Sequence, residues 1–144
     1  MRDTSKNNLE QVVGIVLFRG DGAALMQHRD NLSTISDPGL WVFPGGHLDP
    51  DETPLEGAIR EFEEETSYRC GELEELTRIQ QGNVELVFFW GNYDERQNVA
   101  CHEGQALAFV SRAAVESLPK PPYLTSLFDL ALARRDFSSA PCIK

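Results

Sequence analysis

Residues 41–68 read WVFPGGHLDPDETPLEGAIREFEEETSY, and the fold turns on how this stretch is divided. Leu40 to Phe43 is a short apolar strand, ended by Pro44-Gly45-Gly46. Thr53-Pro54-Leu55-Glu56 is a helix start, with Thr53 as N-cap, Pro54 at the first helical position and Glu56 completing a capping box. The apolar spacing carries the helix to about Thr66. At about 100° per residue, with Glu61 as origin, Glu65 falls near 40° and Glu64 near 300°, so three carboxylates share a narrow face. Leu55, Ala58, Ile59 and Phe62 form the stripe that faces the core. Glu63 faces water, and Arg60 flanks the carboxylate face beside Glu64.

Such a face is locally unfavourable. Like charges three and four residues apart repel by a few tenths of a kcal/mol, roughly, in a helix. They also sit in its second half, where the helix dipole is negative. A solvated acidic surface is the bland explanation. A bound divalent cation is the sharper one, because it turns the repulsion into attraction. All-oxygen donors select hard ions, so Mg²⁺ is the expected cofactor, with Mn²⁺ able to substitute.

The rest of the chain surrounds this helix with strands. Val12 to Phe18 is a continuous β-branched, apolar run and reads as a buried strand. A turn at Arg19-Gly20-Asp21-Gly22 returns the chain through Ala23 to His28. Asn31 to Gly39 is a loop with a turn at Asp37-Pro38-Gly39. Leu73 to Ile79 and Val84 to Trp90 are strands around a Gly82-Asn83 turn, and Leu107 to Val110 is another. Ser111 caps a short helix through Ser117, and Pro121-Pro122 precedes a helix from about Leu124 to Arg135. Strands and helices mix irregularly, which predicts an α/β or α+β sandwich.

With 144 residues the chain fits one domain, 1–144, with segments 1–10 and 136–144 expected to be flexible. The net charge is -10. Residues 49–65 hold eight acidic side chains against Arg60 alone, so most of that charge lies on one segment. An acidic surface repels a nucleic-acid backbone, so general nucleic-acid binding is not expected. No apolar run reaches the roughly 20 residues of a membrane span. The start of the chain, Met1 to Asn8, is polar and lacks a signal peptide's apolar core. Cys70, Cys101 and Cys142 are an odd set without metal-site spacing, consistent with a reducing cytoplasm.

The run Gly46-x5-Glu52-x7-Arg60-Glu61-Phe62-x-Glu64-Glu65 resembles the signature of the Nudix (MutT-like) hydrolases, and the approach Trp41 to Gly46 is similar to that family's lead-in. There are two departures. Ser67 stands where the signature has Gly, at a helix end that favours positive φ, and Tyr68 takes the last apolar position. The resemblance implies a Nudix fold, an α/β/α sandwich around a mixed β-sheet. It also implies hydrolysis of a nucleoside diphosphate linked to another group. Carried over to matching positions, Glu61, Glu64 and Glu65 would bind Mg²⁺ with help from the Gly46 carbonyl, while Glu52 and Arg60 would support them. Glu64 or Glu103 would take the proton of the attacking water, since His102-Glu103-Gly104-Gln105 resembles a loop that supplies a further ligand or base in some members. An ordinary polar-loop role for Glu103 stays open.

Arg29 is a candidate for binding phosphate, or a solvent-facing charge. Phe43, Trp41 and Trp90 can stack on a base or pack in the core. His28, His47 and His102 have no metal-site spacing. Markers that separate Nudix substrate classes are not found: Gln80 to Phe88 lacks the Pro or Tyr of two classes, and Leu118 to Ser126 has no Asn. The expected partner is therefore a small nucleotide, a nucleoside triphosphate or a nucleotide sugar. A non-catalytic Nudix module that senses a nucleotide is the alternative, disfavoured by the intact carboxylates. An acidic calcium-buffering surface is a third, disfavoured because no D-x-[DN]-x-[DN]-G loop is present. Oligomeric state is left open, a homodimer included.

Overall fold

Strand β1 (Glu10–Phe18) is the centre of the molecule, and its apolar run explains why. Both of its faces are covered, so a strand with apolar side chains on each side is what the position requires. The structure is a computed structural model that describes residues 10–33 and 37–139. The sheet is mixed. Strand β6 (Val84–Asn92) pairs parallel with β1 from Glu10↔Val84 to Phe18↔Asn92. Strand β5 (Glu74–Gln81) lies antiparallel to β6, with a bulge between Glu75 and Thr77. On its other side β1 meets β2 (Ala24–His28) only at Phe18↔Ala24 and then diverges from it. Strand β4 (Gly45–His47) fills the gap, pairing Val12↔His47, Val13↔Gly46 and Gly14↔Gly45. Strands β3 (Trp41–Val42) and β7 (Ala106–Val110) flank β2.

Helix α1 (Pro54–Thr66) covers one face. Its Ala58 and Phe62 pack with Val13, Ile15, Leu17, Leu25, Val87 and Phe89. The other face is covered by the short α2 (Arg112–Val115) and by α3 (Leu124–Ser139), whose Leu124, Leu127, Phe128 and Ala131 pack on Val16, Phe18, Met26, Phe88 and Trp90. This is the expected α/β/α sandwich around a mixed sheet. Among the described residues no helix is long and apolar enough to cross a membrane.

The α1 start is as read: Thr53 Oγ1 accepts from Glu56 N–H at 3.1 Å, and Thr53 N–H donates to the Glu56 carboxylate at 2.9 Å. Four readings are corrected. Gly45-Gly46 does not simply end a strand, because the chain reverses at Pro44 and the two glycines begin β4 against β1. Leu55 is 41% exposed and lies outside the core. The buried face of α1 holds Gly57, Ala58, Phe62, Glu65 and Thr66. Helix α3 continues past Asp136 to Ser139, and Glu10 already belongs to β1. The expected flexible ends, apart from Glu10 and 136–139, lie outside the described residues, as does Cys142.

Candidate functional site

The second half of α1 runs beside β4, which brings a glycine backbone against a row of carboxylates. A Cβ added at Gly46 would lie 2.3 Å from Glu61 Oε1, so only glycine lets this carboxylate approach the chain. Gly45 N–H donates to Glu65 Oε1 at 2.9 Å. The three clustered carboxylates differ in environment. Glu65 is 3% exposed, Glu61 is half-buried and Glu64 is exposed.

Burial shifts two of them, Glu65 and Glu61, upward. It pushes Glu65 to about 8, helped by the nearby charges of Glu103 and Glu61 and opposed by the Gly45 hydrogen bond and by Arg29. Glu61 is also raised, first by burial, with Arg60 pulling it back and Glu64 and Glu103 adding repulsion. The charge of Glu103, from a different part of the chain, is thus felt by both Glu61 and Glu65.

Arg60 organises the rim. Its Nε and Nη2 donate to Glu52 at 2.6 and 3.0 Å, a bidentate pair. Its Nη1 donates to Glu61 at 3.0 Å and Glu64 at 3.2 Å, and Nη2 also donates to the His47 carbonyl at 3.1 Å. Glu52 is held below the usual carboxylate range chiefly by Arg60, and its Oε1 also accepts from Asp49 N–H. Arg60 thus ties Glu52, Glu61 and Glu64 to β4.

The loop carrying Glu103 is pinned at both ends. Ala100 N–H donates to Thr66 O at 2.8 Å and His102 N–H to Glu65 O at 3.1 Å. Gln27 Nε2 donates to Glu103 O, and Gln105 N–H donates to His28 O at 2.7 Å. Gly104 has φ +81, and a Cβ there would be 2.6 Å from His28 O. Ser67 has φ 64, the left-handed conformation expected at this helix end.

Arg60 contacts Glu61 and Glu64, Gly46 lies against Glu61, and Glu65 and Glu61 both feel the charge of Glu103. Arg29 follows β2, and its charge reaches both Glu65 and Tyr123. Phe43 is a correction as a substrate contact: it is 5% exposed, with its ring against Phe88 and Phe128 in the core. Trp90 is buried and donates to Glu74 at 3.1 Å. Trp41 stacks on His28 with ring centroids 4.8 Å apart. Sequence reasoning missed Gln27 and Gln105, whose Nε2 groups donate to the Glu103 and Arg29 carbonyls, since nothing local marks a side chain as reaching a distant carbonyl.

The donors are of the right kind for a hard divalent ion: ionisable carboxylates converging with mutual repulsion, beside a glycine backbone. Among the described residues no three His, Cys, Asp or Glu side chains are already gathered as a ligand set. Glu61 and Glu64 are turned toward Arg60.

The NUDIX domain family model matches residues 8–129. Over 128 residues the chain is 29% identical to the CTP pyrophosphohydrolase of Escherichia coli (strain K12), covering 87% of this chain and 93% of that protein. Over 54 residues it is 44% identical to the m7GpppN-mRNA hydrolase NUDT17 of Bos taurus, covering 38% of this chain but only 18% of that protein. Among solved structures it resembles that of MutT from Aliivibrio salmonicida and Vibrio cholerae, with a TM-score of 0.74 at 20% identity, over 87% of this chain and 98% of that one.

Proposed function

The chain belongs to the NUDIX family, and from that premise we propose that it is a Mg²⁺-dependent pyrophosphohydrolase of nucleoside triphosphates. The observation that carries the reading is the buried Glu65 carboxylate, grouped with Glu61 and Glu103 beside the Gly45-Gly46 backbone. A folded protein tolerates such a cluster at a cost, and a positive ligand removes that cost. The nucleotide class is supported by the near full-length likeness to a CTP pyrophosphohydrolase. Nucleotide sugars are the second class to test.

Glu61, Glu64, Glu65 and Glu103, with the Gly46 carbonyl, would hold Mg²⁺, or Mn²⁺ in its place. When bound, the ion supplies positive charge against an anionic diphosphate and Lewis acidity toward water. Arg60 holds Glu61 and Glu64 in fixed rotamers and is a positioning residue. Glu64 takes the proton of the attacking water on a carboxylate oxygen, with Glu103 the other candidate base. Its exposure supports this, because a base must be reached by water. Arg29 supplies a fixed positive charge for a phosphate that the acidic rim alone would repel. The reading treats residues 1–144 as one domain in the reducing cytoplasm, consistent with the free thiols of Cys70 and Cys101.

The test is phosphate release across nucleoside triphosphates, nucleotide sugars, ADP-ribose and dinucleoside polyphosphates, each with Mg²⁺ and with chelator. Samples with and without added phosphatase distinguish monoester products. Chelator-sensitive turnover of the triphosphates is expected. Folded protein that binds nucleotide without turning it over would favour a sensor instead.

A further inference from the structure

We propose that Ser67 and His102 form a clasp that positions Glu103 against Glu61 and Glu65. The inference deepens the hydrolase reading and rests on it for its kinetic part. Ser67 takes the left-handed backbone at the end of α1, with φ 64, where glycine is the less strained residue. The side chain that makes this position costly points at the Glu103 loop: Ser67 Oγ and His102 Nε2 lie 2.6 Å apart. The tautomer of His102 decides which of the two donates.

The hydrogen bond closes a short ring. Ser67 follows directly on Thr66 and Glu65, whose carbonyls accept the Ala100 and His102 N–H groups. His102 is thus held to α1 by backbone and side chain together, and Glu103 is the next residue. On the far side, Gln27 Nε2 donates to the Glu103 carbonyl and Gln105 N–H to His28 O. Glu103 is therefore carried between two anchors, one on α1 and one on β2. Carboxylates that repel one another drift apart unless their backbones are fixed, and the clasp fixes the α1 side. Ser67 and His102 act through Glu103 and are positioning residues.

Ser67→Gly is a clean probe, because glycine adopts this φ more readily than serine and only the hydrogen bond is lost. Ser67→Gly and His102→Ala should each speed hydrogen exchange of the amides at 100 and 102. Each should weaken Mn²⁺ binding, measured on the protein without nucleotide, by about tenfold. Each should lower kcat by about tenfold with KM little changed. The double variant should be no worse than the poorer single one, since both remove one contact. Unchanged exchange at both amides overturns the clasp, as does unchanged Mn²⁺ affinity, a fall confined to KM, or additive losses in the double variant. Absence of turnover in the unaltered protein sinks the hydrolase reading alone; exchange and Mn²⁺ binding then decide the clasp by themselves.

Discussion

Arg60 shows how much one residue can hold in place. One guanidinium meets Glu52, Glu61, Glu64 and the His47 carbonyl, a planar fork that a lysine ammonium cannot reproduce. Arg60→Lys keeps the charge and loses the geometry. Turnover should fall roughly 10- to 100-fold while far-UV circular dichroism is retained, and steady-state assays check it. Glu65 makes a pH prediction. Its folded pKa, about 8, lies above the ordinary carboxylate value. The folded state therefore binds more protons than the unfolded state between those two values. The stability this contributes is full below the unfolded pKa and is lost as pH rises through about 8. In chelator, Tm should carry a downward component across that window. Glu65→Gln should remove this component while also lowering activity, and thermal melts at a series of pH values decide it.

At the scale of elements, the β1–β4 contact sets the site. A Cβ at Gly45 would lie 1.8 Å from the Val13 carbonyl oxygen, a backbone atom that cannot turn away. Gly45→Ala should cost about 2–3 kcal/mol in denaturant unfolding, by forcing β4 off β1. Helix α1 was legible because its start is local chemistry, in which Thr53, Pro54 and Glu56 each carry a separate signal. The β1 run was legible because burial on both faces leaves a continuous apolar string. Strand β4 was not, because Gly45-Gly46-His47 has no strand pattern and is extended only through pairing with β1. Leu55 misled because it fits the helical period but lies in the first turn and stays exposed. The face formed by Glu61, Glu64 and Glu65 followed from helix period alone. That Glu65 is its buried member did not, since burial there is set by β4 and by the Glu103 loop.

For the whole molecule, the net charge of -10 gathers largely on the segment that carries α1, so bound cation and fold stability are linked. Mg²⁺ should raise Tm, and more at pH 9 than at pH 6, because binding requires the carboxylates ionised. Calcium buffering would also raise Tm but would produce no turnover, so the decisive observation is catalytic. The most direct measurement is the turnover number of Glu64→Gln beside the unaltered protein. Both would be assayed with saturating Mg²⁺ and the best nucleoside triphosphate, with matched Tm values confirming equal folding. The carboxylate mechanism predicts a loss of about 10²- to 10⁴-fold in kcat, the range spanned by removing a general base. Turnover within about twofold of the unaltered protein would contradict it and move the proton acceptor elsewhere, to Glu103 first.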